Sequence, residues 1–426
     1  MPALPSSKNL GVTEATKLKY KEILKANGIT DEVAEVNIKD SGLRGEGFIS
    51  QQQYVSIKFQ NPNLKPLNLF EKSHTANESH SVMVDDLKAF AKETRFFMDY
   101  VPAARELCKS KGQERLLDIY PKCYYGDDKL MIFENLVVDK GYVLLPKEEM
   151  QDFEAATFAM KTLAKHHAIS HAMIKAQGGP QKFFQKFKSL DFESFSAPAF
   201  EFMIKSSLEN NLNTNIQLLE TNNIEGGEEA LAKSKLWLNG KSYELVEEAI
   251  NSLTDDEFAV LCHGDFWNNN MMFKRDPESN KITGHIAIDL QVTRYNSPAL
   301  DISYYLFTSV KPAVRREHLQ TLLTTYLETL HETTRNLDCP IDLTYDDLFL
   351  AIRKKFNYGF FFGICFGPAM NVLSNFDINE VGDITNMSSF VNKLIQDWLA
   401  NNKEVGKEMA ISFVDVLKEY DELKVD

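Results

Sequence analysis

The pattern of apolar and polar residues divides the chain into a first part that mixes helices with strands and a longer part with helical periodicity. In the first part, alternating or apolar segments predict strands, and 3.6-residue spacing predicts helices. These elements are a helix at 13–27, strands at 53–59 and 67–73, a helix at 85–100 and a strand at 130–136. Gly28 closes the first helix, and Pro102 is expected to end the second.

The second part begins with a strong helical pattern over residues 148–177, and helical spacing dominates again from Ala299 onwards. Because 426 residues are many for one compact core, we expect two lobes. The apolar strand at 130–136 is suited to link them. We therefore predict an N-terminal lobe of residues 1–135 and a C-terminal lobe of residues 136–426.

Two carboxylates and one amide lie in a short stretch of the second part. Asp265 and Asn270 are five residues apart, which lets one tight loop direct a carboxylate at a substrate hydroxyl and an amide oxygen at a metal ion. Residues 271–273 and 286–288 are apolar runs separated by turn-forming and charged residues, which predicts a hairpin. That hairpin brings Asp289 back beside Asn270, where both could bind one Mg²⁺. The arrangement fits phosphoryl transfer.

Two segments of the first part could contact a nucleotide through the backbone. In residues 40–50, closely spaced glycines, among them Gly45 and Gly47, allow N–H groups to approach a phosphate; an ordinary hairpin turn is the alternative. The strand at 130–136 could offer backbone groups of Glu134 and Leu136 to the edge of an adenine.

Lysines near the ends of the two predicted strands are candidates for phosphate binding. A kinase small lobe carries such a lysine on its third strand and pairs it with a glutamate of the next helix. Counting strands from the glycine-rich segment favours Lys72, with Lys58 as the alternative. Glu93, the one acid in the central turns of helix 85–100, is the predicted partner of Lys72.

Composition limits the classes of partner. A net charge of −14 argues against a general nucleic-acid binder, because phosphate backbones are held mainly by clustered lysine and arginine. Five cysteines without metal-site spacing indicate a reduced, cytoplasmic compartment. We find no secretory signal, no stretch apolar enough to span a bilayer and no indication of an obligate protein partner.

Three further polar residues have structural explanations. His167 and His171 have the spacing of a metal-binding pair, but no third ligand is evident, so we interpret them as ordinary histidines of a helix. Asp301 lies in the first turn of a helix that follows Pro298. We expect Asp301 to brace the catalytic loop and not to react.

The segment from His263 to Asn270, together with residues 288–291, resembles the signature of the ecdysteroid kinase-like family of arthropods, relatives of choline kinases and aminoglycoside phosphotransferases. In place of the Asp-Phe-Gly of protein kinases the chain has Asp289 followed by leucine and glutamine, and no long activation loop follows. The resemblance therefore implies a small-molecule acceptor. It also implies an α+β, bilobal protein-kinase-like fold, with a small antiparallel sheet plus helix in the N-lobe and a larger, mostly helical C-lobe.

The same resemblance implies roles for the candidate residues. Asp265 would be the catalytic base, Asn270 and Asp289 would hold Mg²⁺, and Lys72, braced by Glu93, would bind the α- and β-phosphates of ATP. The implied acceptor is a steroid alcohol such as an ecdysteroid. Two alternatives stay open: a kinase of choline-like or xenobiotic hydroxyl compounds, and an inactive kinase fold that binds ligands.

Overall fold

The first part of the chain forms an antiparallel sheet in the computed structural model, which describes residues 9–10, 13–40, 50–74, 81, 85–146, 149–373 and 386–423. The sheet contains six strands: β1 (Asn9–Leu10), β2 (Val33–Asp40), β3 (Ser50–Phe59), β4 (Leu67–His74), β5 (Cys123–Gly126) and β6 (Leu130–Glu134). They pair in the order β1-β2-β3-β4-β6-β5. The strands predicted at 53–59 and 67–73 are therefore confirmed, and the structure pairs them antiparallel.

Helix α1 (Glu14–Ala26) packs against this sheet. Its start is fixed by Thr13, whose hydroxyl oxygen accepts a hydrogen bond from the N–H of Thr16 at 3.2 Å. Its buried face joins a cluster with residues of the central strands: Tyr20, Ile23, Leu24, Val36, Val55, Ile57, Leu69 and Ile132. The helix predicted at 13–27 is thus confirmed, and it supplies the N-terminal sheet with its own apolar core.

The second helix continues past the position where the sequence predicted its end. It runs as α2 (Ala89–Arg95), a π-helical turn (Phe96–Tyr100) and α3 (Val101–Ser110). The N–H of Val101 bonds to the carbonyl oxygen of Phe96, five residues earlier. This wider turn accommodates the ring of Pro102, which would otherwise collide with the preceding turn of an α-helix. Pro102 does not end the helix, and that prediction was wrong.

The strand predicted at 130–136 is shorter than expected. It ends at Glu134, and Asn135 caps a short helix, α4 (Leu136–Lys140), by accepting hydrogen bonds from the N–H groups of Val137 and Val138. Leu136 is therefore the first residue of a helix and not the last of a strand. The lobe boundary at residue 135 stays a prediction.

The central hairpin forms as predicted. Strands β9 (Met271–Arg275) and β10 (Ile282–Ala287) pair antiparallel, and β7 (Tyr142–Leu144) adds a third strand beside β9. A separate two-stranded sheet joins β8 (Val260–Cys262) to β11 (Arg294–Asn296). The loop between β8 and β9 and the segment between β10 and β11 therefore meet.

Helices make up most of the remaining described chain. They are α5 (Phe153–Ala176), α6 (Pro180–Lys186), α7 (Pro198–Thr221), α8 (Gly227–Lys235), α9 (Lys241–Asn251), α10 (Ala299–Ser309), α11 (Pro312–Asn336), α12 (Tyr345–Leu373), α13 (Met387–Asn401) and α14 (Lys403–Leu423). No helix formed by the described residues is long and apolar enough to cross a membrane. A small antiparallel sheet with a helix, followed by a larger helical part, is the α+β, bilobal protein-kinase-like architecture.

One apolar cluster extends from α2 and α3 into the helical part. Phe96, Phe97 and Tyr100 of the π-helical turn belong to the same cluster as Ile169 of α5 and Leu261 of β8. The helix that carries Glu93 is therefore packed against the part of the chain that carries Asp265 and Asn270.

Candidate active site

The loop between β8 and β9 is held from its N-terminal end. Gly264 has a φ of +85°, and a Cβ there would lie 2.1 Å from the carbonyl oxygen of Val292, so only glycine fits. The carboxylate of the buried Asp301 accepts hydrogen bonds from the N–H groups of His263 at 2.7 Å and Gly264 at 2.9 Å. His167 Nε2 contacts the same carboxylate at 3.0 Å. These contacts are those of a brace, as expected for Asp301.

Asp265 follows this braced turn, and both of its carboxylate oxygens are engaged. Oδ1 accepts a hydrogen bond from the hydroxyl of Tyr304 at 2.6 Å, and Oδ2 accepts one from Asn270 Nδ2 at 2.8 Å. Burial raises the pKa of Asp265 to about 6; the two hydrogen bonds oppose this rise, and the nearby Asp289 carboxylate adds to it. The loop therefore presents an oriented carboxylate next to an amide.

Asp289 lies beside Asn270, as the predicted hairpin requires. The N–H of Ile288 donates to the carbonyl oxygen of Asn270 at 3.0 Å, and His263 Nε2 contacts the carbonyl oxygen of Ile288 at 3.0 Å. Asp289 itself has a φ of +67°, an uncommon conformation for a residue other than glycine. These contacts hold the segment in place while the Asp289 side chain keeps 27% of its surface exposed.

Lys72 of β4 connects the sheet to this loop. Its Nζ lies 2.6 Å from Glu93 Oε2 and 2.6 Å from Asp289 Oδ1, and the lysine side chain is only 9% exposed. Burial alone would lower the pKa of Lys72, but the two carboxylates outweigh it and raise the pKa. Burial raises the pKa of Glu93, and Lys72 opposes that rise. Because one ammonium serves two carboxylates, we infer that Lys72 stays protonated and that repulsion by Asp289 contributes to the shift at Glu93.

The alternative lysine has different surroundings. Lys58 of β3 is half-exposed and forms an ion pair with the half-exposed Glu35 at 2.9 Å, within the N-terminal sheet. Of the two lysines, Lys72 is therefore the one that reaches the helix residue Glu93 and the loop residue Asp289, and its role in phosphate binding stays a prediction.

The oxygen atoms beside Asp265 fit a magnesium ion. Asn270 Oδ1 accepts no hydrogen bond from any residue that the structure describes, since the amide nitrogen makes the contacts to Asp265. The partly exposed carboxylate of Asp289 lies on the neighbouring segment. One amide oxygen and one carboxylate are ligands of the type that Mg²⁺ takes when phosphate and water complete its coordination.

The predicted adenine-edge segment lies next to a small apolar cluster. The side chains of Leu136, Met272 and Ile286 are buried together, and the partly buried Ile288 packs against them. The side chain of Glu134 is turned to other partners: it accepts the N–H of Lys122 at 2.9 Å and pairs with Lys140 at 2.8 Å. Only backbone atoms of Glu134 could thus contact a base. Gly45 and Gly47 lie outside the described residues.

The histidines of α5 are accounted for by packing. His167 bonds to Asp301 and to the hydroxyl of Tyr326 at 2.7 Å, whereas the ring of His171 lies 5.2 Å from that of Phe258. Within the described part of the chain, one group of metal-ligand side chains occurs, namely His167, Cys262 and Asp301, all buried. Its carboxylate is already the brace of the catalytic loop.

Tyr304 and Met272 are site residues that the sequence did not indicate. Tyr304 lies one helical turn after Asp301 on α10, so the spacing i, i+3 was available as a sign that both side chains reach the same loop. Met272, in the middle of an apolar run, carried no sign beyond its position on β9.

Comparison with known proteins identifies the family. The chain belongs to the ecdysteroid kinase-like family, whose sequence profile matches residues 44–339, more than half of the chain. The GDP complex of a mutant aminoglycoside 2′-phosphotransferase-IIIa is similar at a TM-score of 0.36 and 13% identity, over 92% of this chain and 99% of that one. The GDP complex of the wild-type enzyme is similar at a TM-score of 0.34 and 14% identity, over 91% of this chain and 99% of that one. These scores are too low to transfer a ligand or mechanism. No curated protein matches the sequence.

Proposed function

We propose that this protein is a kinase that uses ATP and Mg²⁺ to phosphorylate a hydroxyl group of a small-molecule alcohol. The observation that carries the proposal is the contact of Lys72 with both Glu93 and Asp289, which joins residues 217 positions apart in the sequence. Membership of the ecdysteroid kinase-like family supports the same class of reaction. A lysine paired with a helix glutamate, beside a metal-binding aspartate, is the arrangement that phosphoryl transfer uses in kinases.

Each residue then has a role that its position allows. Asp265 orients the acceptor hydroxyl and takes its proton as the oxygen–phosphorus bond forms and the bond from the γ-phosphorus to ADP breaks. Lys72 binds the α- and β-phosphates, and Glu93 keeps it in place. Asn270 and Asp289 would hold Mg²⁺, which supplies positive charge to the phosphates when bound.

The nucleotide base would lie against the cluster of Leu136, Met272 and Ile286. The N–H of Glu134 already donates to the carbonyl oxygen of Lys122 at 2.9 Å, so the carbonyl oxygen of Glu134 and the backbone of Leu136, a member of this cluster, would bond to the adenine edge. Gly45 and Gly47 keep their predicted role of approaching the phosphates. An apolar surface with a few backbone donors and acceptors is typical of a small-molecule site.

We propose a steroid alcohol, such as an ecdysteroid, as the acceptor. The family supports this choice, and the buried rings beside Asp265 make its surroundings apolar: Tyr304 lies 5.5 Å from Tyr358 and 5.3 Å from Phe362, measured between ring centroids. Apolar surroundings suit the carbon skeleton of a steroid, whereas aromatic rings also attract quaternary ammonium groups, so the acceptor panel has to distinguish a steroid from a choline-like compound.

A cytoplasmic location is part of the proposal. Four cysteines of the described chain, Cys108, Cys123, Cys262 and Cys339, are free thiols. Unpaired cysteines suit a reducing compartment, in which disulfides are rare.

Phosphate transfer to a mixed acceptor panel tests the reaction. The protein is incubated with Mg-ATP and ecdysteroids, choline analogues and plant-derived alcohols, and phosphorylated products are identified by mass spectrometry. We expect a steroid phosphate, and we expect Asp265→Asn to lower kcat by roughly 10²- to 10⁴-fold. A choline or xenobiotic phosphate as the main product would replace the acceptor assignment, and unchanged turnover by Asp265→Asn would remove Asp265 from its role.

Nucleotide binding tests the lysine, with a matched control. Calorimetry is expected to show that Lys72→Met weakens Mg-ATP binding by roughly 100-fold, since a buried cation that contacts phosphate is lost. Lys58→Met removes the same charge from the exposed face of the sheet and should leave binding unchanged. Loss of binding in Lys58→Met alone would overturn the choice of Lys72. If the unmodified protein bound no Mg-ATP, the inactive ligand-binding fold would become the better explanation.

A further inference from the structure

Tyr304 is placed by α10 so that its hydroxyl reaches the carboxylate of Asp265. The helix begins after Pro298, Asp301 in its first turn binds the backbone of the catalytic loop, and Tyr304 follows one turn later. Its hydroxyl donates to Asp265 Oδ1 at 2.6 Å. One rigid helix therefore fixes both the backbone and the side chain of this loop.

The ring of Tyr304 is itself immobilised. It is 3% exposed and packs against the rings of Tyr358 and Phe362, and these two rings also contact each other, with centroids 5.1 Å apart. Tyr358 donates its hydroxyl to the carbonyl oxygen of Gly264 at 3.2 Å. The phenol of Tyr304 is thus held by two rings, one of which, Tyr358, bonds to the same loop.

The two donors define the plane of the Asp265 carboxylate. The terminal torsion of an aspartate is broad, so a carboxylate with one donor can rotate about it. Asn270 Nδ2 holds Oδ2 and the Tyr304 hydroxyl holds Oδ1, on opposite sides of the group. Each carboxylate oxygen can accept two hydrogen bonds, so both retain capacity for a substrate hydroxyl.

We propose that Tyr304 is a positioning residue for phosphoryl transfer, which holds the carboxylate of Asp265 in the orientation that receives the proton of the acceptor hydroxyl. This inference rests on the proposed function, since Asp265 must be the base. Tyr304 acts through Asp265 and exchanges no proton itself. Its loss should therefore affect the chemical step and leave nucleotide binding intact.

Tyr304→Phe is the direct test, and the neighbouring residue is its control. The variant keeps the ring and its aromatic contacts and removes only the hydroxyl. Tyr305→Phe removes a hydroxyl from the same helix that donates to Gln151 Oε1 at 2.6 Å, and Tyr305 is fully buried. The control thus loses a comparable buried hydrogen bond that does not involve Asp265.

We expect Tyr304→Phe to lower kcat by about 10- to 100-fold, because small misplacement of a reacting group has effects of that size. The dissociation constant for Mg-ATP, measured by calorimetry, should stay within about 2-fold of the unmodified value. Tyr305→Phe should keep kcat within about 3-fold of the unmodified value, and it should lower thermal stability about as much as Tyr304→Phe does. Equal kcat values in the two variants would overturn the proposal.

A double mutant separates positioning from a general structural effect. If Tyr304 acts through the Asp265 carboxylate, Tyr304→Phe should lower kcat by less than about 3-fold when Asp265→Asn is already present. An undiminished loss in that background would show an effect independent of Asp265 and contradict the proposal.

A crystal structure of Tyr304→Phe gives an outcome that does not depend on turnover. We expect the Asp265 carboxylate to rotate away from the position at which Asn270 Nδ2 and the residue 304 ring bracket it. An unrotated carboxylate would overturn the positioning role even if no acceptor were found. By contrast, a rotated carboxylate in a protein that phosphorylates nothing would reject the proposed function and leave the positioning contact established.

Discussion

The contacts of the buried Asp301 carboxylate allow a quantitative prediction of how much it stabilises the loop between β8 and β9. It accepts two backbone N–H groups, those of His263 and Gly264, and contacts His167 Nε2. Asp301→Asn replaces one carboxylate oxygen by an NH₂ group of nearly the same size. In either orientation of the amide, one backbone N–H faces a donor and loses its partner.

The expected loss follows from these contacts. An orphaned buried N–H costs about 1–3 kcal/mol, and the remaining hydrogen bonds lose the assistance of the negative charge. Burial disfavours the charge of Asp301, but hydrogen bonding and the nearby histidine lower its pKa to about 2. Relative to an ordinary value near 3.9, that shift corresponds to roughly 2–3 kcal/mol in favour of the carboxylate. We therefore expect Asp301→Asn to lower the free energy of unfolding by about 3–4 kcal/mol at pH 7.

Urea unfolding, followed by circular dichroism at pH 7, measures this loss. The control is Asp152→Asn, at the exposed N-terminus of α5, where Asp152 Oδ1 accepts the N–H of Ala155 at 2.9 Å. Asparagine caps helices as well as aspartate, so the control should change stability by less than about 0.5 kcal/mol. A loss below about 1 kcal/mol in Asp301→Asn would show that the carboxylate is not the brace.

The pH dependence of the same difference has a definite sign. Because the folded-state pKa of Asp301 lies below the unfolded one, its contribution is complete above about pH 4 and is lost as the pH falls through about 2. The difference between the unmodified protein and Asp301→Asn should therefore be constant from pH 5 to 8. A difference that grew on acidification would contradict the assignment.

Two further substitutions test contacts around the site by denaturant unfolding. Gly359→Ala would place a Cβ 2.1 Å from the carbonyl oxygen of Ser303, where α12 meets α10, and should lower the free energy of unfolding by about 2–3 kcal/mol. The control, Gly406→Ala, should lower it less, because its Cβ would meet only leucine side chains at 3.2 Å or beyond. Burial lowers the pKa of Lys92 to about 7, below its unfolded value. The free energy of unfolding of the unmodified protein should therefore rise by up to ~1.4 kcal/mol per pH unit between pH 7 and 10, and that of Lys92→Met should lack this rise. Equal pH dependence of the two unfolding free energies would contradict the shift.

The relative positions of Asp265, Asn270 and Asp289 could be predicted because their geometry is local. Asp265 and Asn270 share one loop, and the apolar runs on either side of a polar turn place Asp289 beside them through hairpin register. The choice of Lys72 needed only the order of strands, and that of Glu93 only its central position in a helix. In each case a short-range pattern determines where the side chain lies.

Hydrophobic periodicity could not single out Tyr304, because α10 has no polar face; only its spacing from Asp301 was available as a sign. Nearly every residue from Ala299 to Ser309 is buried, so hydrophobic periodicity does not show which side of the helix faces the loop. The consecutive residues Tyr304 and Tyr305 donate hydrogen bonds to different residues, Asp265 and Gln151. The direction of each depends on the packing of α10 against α12 and the catalytic loop.

Lys92 illustrates the same limit at longer range. It is 1% exposed, and its Nζ donates to the carbonyl oxygens of Phe192 and, at 2.8 Å, Thr293. These partners are 100 and 201 positions away in the sequence. A lysine in a charged helix is expected to face solvent. Its burial depends on two distant segments whose carbonyl oxygens both accept hydrogen bonds from Nζ.

The charges of the site favour binding of the proposed metal ion and the proposed nucleotide together. Lys72 contacts both Glu93 and Asp289, and the Asp265 carboxylate is close enough to Asp289 for its pKa to rise. Glu93 and Asp289 share the one ammonium of Lys72, and Asp265 lies close to Asp289, so this grouping of carboxylates favours a further cation. A cation bound by Asp289 would compete with Lys72 for that carboxylate and leave the ammonium available to an anionic group. Phosphates that accompany Mg²⁺ are such a group, which is why binding of either component should favour binding of the other.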